Sequence, residues 1–241
     1  MLSNLCQTPA MTEGVRARRR DDVARRVLEI GRRHLGEYGA AALSLRGVTR
    51  DLGMVSSAVY RYVGSRDELL TLLVVDAYTE LGDAVDARLA DSRRAAWDTR
   101  ILAVCTAVRD WALREPARYA LLYGSPVPGY EAPGERTTEP GTRVILALVH
   151  LVAEGVEVGD VTDGPALVPV PRPLRADLGR VTADIGVDVD PAVMARAVLL
   201  WATLFGAVSL EVFGQYGKDT FAERGLLFEH QMRLALAVVR G

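Results

Sequence analysis

The chain has 241 residues, 49% of them hydrophobic and 25% charged, and a net charge of −2. This is an ordinary globular mix, long enough for one large domain or two small ones, and it excludes a disordered polymer. No run of about 18–20 uncharged apolar residues is seen, so no membrane span is expected; Met1 to Thr12 lacks the basic and apolar parts of a secretory signal, which points to a cytoplasmic protein, with Met11 as an alternative start.

Cys6 and Cys105 suggest no disulfide framework, and His34, His150 and His230 lie far apart with no paired-ligand spacing, so no metal site is expected. Glycine-rich phosphate loops and a nucleophile elbow are absent from the sequence; no cofactor and no catalysis are expected. The charge is uneven. Residues 14–66 hold 12 Arg against five acids, a balance of +7 that leaves −9 on the remainder. A basic end on a mildly acidic protein fits a polyanionic partner for that end, or else a solvated helical surface.

Residues 1–20 read as a disordered arm ending in Arg16, Arg18, Arg19 and Arg20. The arm is either a solvated tail or a segment that reaches into a DNA groove. A first helix fits Asp21 to Tyr38, with Val23, Val27, Ile30 and Tyr38 at helical spacing and Gly39 closing it. Ser44 caps a short second helix whose apolar face is Leu45, Val48 and Leu52, and Gly53 breaks it. A third short helix starts near Ser56 and runs to about Val63. Ser65 and Glu68 then form a capping box that opens a long helix to about Ser92. Further helices are expected at about 95–114, 116–123, 140–155, 174–184, 191–216 and 220–240. The Pro- and Gly-rich stretches 124–140 and 155–173 read as loops. Nothing in the pattern demands a sheet.

Two short helices around a glycine turn, braced by a third, make a helix-turn-helix, and the second of the pair must present small or polar residues to a groove about 12 Å wide. With Val59 facing the core, Ser56, Ser57, Ala58, Tyr60, Arg61 and Tyr62 are available to DNA. Ser44, Arg46 and Thr49 are further candidate contacts. Arg66, at the start of the long helix, is placed to meet a phosphate. Tyr60 and Tyr62 could instead pack the small domain.

Residues 25–70 resemble the DNA-binding domain of the TetR/AcrR family of transcriptional regulators. The resemblance rests on Gly39, Leu43-Ser44-Leu45, Val48, Gly53-Met54-Val55, the Val-Tyr-Arg-Tyr-Val run at 59–63 and Ser65-Arg66-Asp67-Glu68-Leu69-Leu70. Thr49, Val63 and Arg66 depart from the commonest residues there (Ala, Phe and Lys). Trp111-Ala112-Leu113, Tyr119, the run at 123–130, Trp201 and Phe205-Gly206 resemble a subgroup named for a Trp-His-Gly motif, although Phe205 stands before the Gly.

The resemblance implies an all-α homodimer with three parts: the arm (1–20), a helix-turn-helix DNA-binding domain (21–81, motif 44–63) and a helical ligand-binding and dimerisation domain (82–241). It implies a repressor released from a double-stranded, palindromic DNA operator by a small-molecule effector of unknown identity, with the last two long helices forming a four-helix bundle with their copies. Trp97, Arg109, Trp111, Tyr119, Tyr123, His150, Trp201, Phe205 and Glu211 are the candidate ligand contacts. Each aromatic is also an ordinary core residue, Arg109 and Glu211 could each pair with an opposite charge, and His150 suits a structural role. Asp184, Asp188 and Asp190 read as caps. The alternatives are an enzyme in 82–241 carrying an appended DNA-binding domain, and a DNA-binding or interaction module without a ligand.

Overall fold

The computed structural model describes residues 10–54, 59–163 and 168–241, and among them the regular structure is helix throughout. Helix α1 (Ala10–Tyr38) buries Val27, Ile30 and Leu35. Tyr38, expected on the same stripe, is 61% exposed. Buried His34 fills the inward place one turn earlier, and the Tyr38 ring stands edge-on to it. The helix also starts earlier than expected. The arm is helical from Ala10, because Ala, Met, Glu and Arg in 10–20 are good helix formers with no proline among them; residues 1–9, with Cys6, lie outside the described residues.

Ser44 caps α2 (Leu45–Asp51), its hydroxyl accepting from Gly47 N at 3.4 Å. Leu45, Val48 and Leu52 are buried, and Gly53 turns the chain at φ +64°, which favours glycine. Val59 and Val63 return to the same core, with Tyr62 N and Val63 N both donating to Val59 O. Ser65 caps α3 (Arg66–Asp91) by accepting from Glu68 N at 3.0 Å. Leu69, Leu70 and Leu73 complete this first core; Ala77, Leu81 and Val85 of the same helix belong to a second. The expected boundary after residue 81 thus falls inside one helix, and the change of core comes earlier, between Leu73 and Ala77.

The second core is built by α4 (Trp97–Arg114), α5 (Pro116–Tyr123), α6 (Gly134–Val158), α8 (Pro191–Val212) and α9 (Arg224–Arg240), with α7 (Arg172–Ile185) packed on α8. Helix α6 starts well before residue 140. Pro133 O receives Arg136 N, Thr137 N and the Thr137 hydroxyl, and Pro140 removes a single donor from the ladder. Helix α8 stops at Val212, short of 216, where Gln215 N turns back onto Leu210 O at 2.8 Å. By length and a mean hydropathy of 1.8, α8 is apolar enough to cross a membrane, but Arg196 interrupts its apolar run and half of its most apolar stretch is buried inside the fold.

The two cores meet at a charged layer. Arg118 on α5 is 3% exposed and donates to Glu80 Oε2 (2.6 Å), Asp76 Oδ2 (3.0 Å) and Asp76 O (3.2 Å). Arg32 on α1 reaches the same Asp76 carboxylate from the other side, through Nε at 2.8 Å and Nη2 at 2.5 Å. Trp111 Nε1 donates to Glu80 Oε1 at 3.2 Å. Burial raises the Glu80 carboxyl, but Arg118 and Trp111 outweigh it and hold it below its ordinary range. Removing Arg118 takes from Glu80 its hydrogen-bonded cation and leaves Asp76 with Arg32 alone. Arg118→Leu is expected to lower stability by about 2–3 kcal/mol, less than a fully buried pair because Glu80 keeps some solvent. Urea unfolding at fixed protein concentration measures this, and an unchanged midpoint would show the layer to be dispensable.

Candidate DNA-reading face and interdomain cleft

The helix-turn-helix presents Ser44, Arg46, Tyr60 and Arg61 to solvent. Tyr60 is 43% exposed, a large aromatic that stands outside the first core. Tyr62 is half-buried and packs against the first core, so of the two tyrosines one faces out and one mainly supports. Thr49 is buried, and its hydroxyl donates to Leu45 O at 2.7 Å. This satisfies the hydroxyl inside the helix and removes Thr49 from the expected contact set. Ser56, Ser57 and Ala58 lie outside the described residues.

Arg66, expected at a phosphate, is engaged inside the protein instead. Its guanidinium donates to Leu43 O (3.0 Å), Ala40 O (3.1 Å) and Ala41 O (3.1 Å). These donors hold the turn between α1 and α2 rather than reaching for a phosphate. A second brace is not anticipated by the sequence. His34 Nε2 lies 2.8 Å from Asp51 Oδ2, and Arg33 Nη2 donates to the same oxygen at 2.7 Å. The hydrogen bond with His34, followed by that from Arg33, lowers the Asp51 carboxyl below its ordinary value. The available signal is a histidine at the inward position two turns after Val27.

The candidate ligand residues separate into different environments. Trp97 is buried and donates to Leu151 O at 2.6 Å; Trp111 is buried on Glu80. Tyr119 is buried, its hydroxyl bonded to Phe205 O and the Ser209 hydroxyl. Arg109 and Glu211 form a two-point pair with each other, 2.7 Å at both contacts, which raises the Arg109 pKa. His150 is exposed, beside the Arg100–Glu154 pair. Tyr123, Phe205 and Trp201 do come together: Tyr123 and Phe205 centroids are 4.4 Å apart, and Phe205 and Trp201 5.7 Å. Burial pushes the Tyr123 phenol well above its ordinary value. The Cys105 thiol, fully buried, is pushed up to about 12 and is unreactive. Asp190 caps α8 through Ala192 N at 2.7 Å, as expected.

A cleft of about 630 Å³ opens between the two cores. One wall is Leu35, Tyr38 and the turn Gly39–Ala41. The other is Ala117, Ala120 and Tyr123 of α5, the segment Gly124–Val127, and Phe213 with Gln215. Of the candidate ligand residues, Tyr123 lines it; Tyr38 and Phe213 are additions that the sequence does not single out.

A braced reading head on a helical body is the design of a helix-turn-helix transcriptional regulator, a protein that works by binding DNA and not by catalysis. Residues 101–235 match the family description "Tetracyclin repressor-like, C-terminal domain". The HTH-type transcriptional regulator Rv1816 of Mycobacterium tuberculosis H37Rv is 48% identical over 237 residues, covering 98% of this chain and 99% of the relative, and Mb1846 of Mycobacterium bovis matches equally. Among solved structures, the regulatory protein SCO4313 aligns with a TM-score of 0.73 at 31% identity over 92% of this chain and 98% of the other. A TetR/AcrR regulator of Thermobifida fusca shares the fold (TM-score 0.56, 22% identity, 89% and 97% covered). The chain belongs to the TetR family of transcriptional regulators.

The His34–Asp51–Arg33 brace should show itself in acid. A carboxyl held low in the folded state stabilises the fold above its unfolded pKa and loses that contribution as pH falls. Parent protein should therefore exceed Asp51→Asn in stability from neutral pH down to about pH 4, with the difference shrinking below that. Urea midpoints at about pH 6 and about pH 3.5 test this; a gap independent of pH would remove Asp51 ionisation as its cause.

Proposed function

We propose that the protein is a cytoplasmic repressor that grips a palindromic operator as a homodimer and is released by a small molecule. The observation that carries this reading is the exposed pair Tyr60 and Arg61, held on a short turn whose inner residues Val59 and Val63 are locked in the core. Ser44 and Arg46, before the Gly53 turn, are also exposed. A hydroxyl and a guanidinium can bond phosphates or base edges.

One such head reads few bases, so a two-fold partner is physically motivated. Helices α8 and α9 supply a surface for it. Leu199, Thr203, Gly206 and Leu210 follow at helical spacing on α8, and Leu199 and Leu210 are exposed. On α9, Leu234 and Val238 are exposed one turn apart. Two copies joined there would hold their heads one DNA turn apart, about 34–36 Å. An effector that prefers a different separation lowers operator affinity by about 5–150-fold at ordinary coupling strengths. The interdomain cleft supports an effector more than it supports a ligand-free module.

The test uses a duplex of the DNA upstream of the protein's own gene. Arg61→Ala should weaken binding by about 1–3 kcal/mol, with a smaller loss for Tyr60→Phe, read by fluorescence anisotropy. Unchanged affinity in both variants would rule out this reading face. Leu199→Glu should yield monomers in sedimentation and lose tight operator binding; a dimer that survives it would place the interface elsewhere.

A further inference from the structure

We propose that the cleft between the two cores is a binding site for an uncharged, planar, predominantly apolar small molecule. Its volume, about 630 Å³, is that of a small-molecule site. A quarter of the chain is charged, yet among the described residues no Asp, Glu, Lys, Arg or His lines the cleft. An ionic guest would lose its hydration there without a counter-charge, which disfavours it. Ring-bearing side chains stand on both walls: Tyr38 on the side of α1, Tyr123 and Phe213 on the other. Gly39, Ala40, Ala41, Ala117 and Ala120 keep the space between them open. Tyr38, Ser125 and Gln215, polar side chains that line it, are all neutral hydrogen-bonding groups.

The position of the cleft gives its occupancy a consequence, which rests on the effector-released reading above. Ala40 and Ala41 line the cleft, and their carbonyls are two of the three that Arg66 holds. Arg66 opens α3 three residues after Val63, at the end of the segment bearing Tyr60 and Arg61. A guest that displaces the 39–41 turn stretches the Arg66 bonds and moves the reading head with them.

Isothermal titration of the full chain tests the site, with 7-methoxycoumarin as the neutral planar probe and coumarin-3-carboxylate as its anionic counterpart. The neutral probe should bind once per chain, and the carboxylate at least about tenfold more weakly. Ala41→Trp, at an exposed lining position, should weaken the neutral probe at least about tenfold by filling the space, and Tyr38→Ala about fivefold by removing one wall. Both side chains are exposed, so melting curves close to the parent's are expected. Absence of saturable binding, equal affinity for the two probes, or affinity that survives both substitutions overturns the site. Anisotropy with the upstream duplex, with and without 7-methoxycoumarin, separates the two readings. Cleft binding that leaves DNA affinity unmoved keeps the site and overturns its role in release. DNA release by the probe that persists in Ala41→Trp and Tyr38→Ala overturns the site and keeps the effector reading.

Discussion

One helix has to serve two hydrophobic cores, and the acids Asp76 and Glu80 sit where α3 leaves one core and enters the other. Leu73 belongs to the DNA-reading head and Ala77 to the body, so at this level neither core can cover the helix with apolar side chains. Two carboxylates one turn apart solve the problem only if cations reach them from both sides. Arg32 comes from α1 and Arg118 from α5, and both bond Asp76. Such a layer contributes less net stability than apolar packing would. What it supplies is direction: a guanidinium pairs with a carboxylate in a fixed plane, whereas an apolar seam could slide. The orientation of the head on the body is therefore held by directional charge pairs.

Most of these pairings are made by arginine, and that changes how the charge of the chain is to be read. The +7 balance of residues 14–66 points toward DNA, but much of it is engaged inside the protein. Arg26 bonds Leu52 O, Arg32 and Arg33 pair with Asp76 and Asp51, and Arg66 holds three carbonyls. Arg46 and Arg61 are exposed and have no such bond among the described residues. The same pattern recurs in the body, where Arg196 bonds Val239 O and Thr162 O, and Arg143 spans Thr79 O, Asp83 and Asp86. With Lys218 the single lysine, nearly every cation here is a planar fork suited to carbonyls and carboxylates.

The elements that local chemistry determines are readable from the sequence. Ser44, Gly53, Ser65 and Glu68 act through neighbours three or four residues away, and α2 and α3 begin where those residues put them. Residues whose role depends on distant partners are not. The three acceptors that engage Arg66 lie more than twenty residues upstream. Thr49 is the opposite case: it shares the helical face of Leu45, Val48 and Leu52 and bonds Leu45 O four residues back, so its burial is open to a reading of local spacing. Arg109 and Glu211, each a plausible polar anchor when read alone, are partners 102 residues apart. The aromatic candidates diverge for the same reason: Trp97, Trp111 and Tyr119 have the helical spacing that pocket residues would have, and only the fold shows their polar atoms bonded inside the core. The Asp76–Glu80 spacing does carry a signal. Leu69, Leu73, Asp76 and Glu80 share one stripe of α3, and acids that continue an apolar stripe call for cations opposite them.

If the cleft is an effector site as proposed, the route from it to the reading face is shorter than the helical pattern suggests. A long helix running from Ser65 into the body is the natural candidate for a lever, but a lever needs its whole length to tilt. The turn 39–43 offers a more local coupling, since its carbonyls are held by the first residue of α3 while its opposite side faces the cleft. A displacement there would reach the reading head through the Arg66 bonds directly. The two elements then have separate roles. The charged layer fixes where the head sits on the body, and the Arg66 turn determines how the head is held at its own edge. Coupling through so few bonds is physically contiguous, and its strength is bounded by the three hydrogen bonds that Arg66 makes.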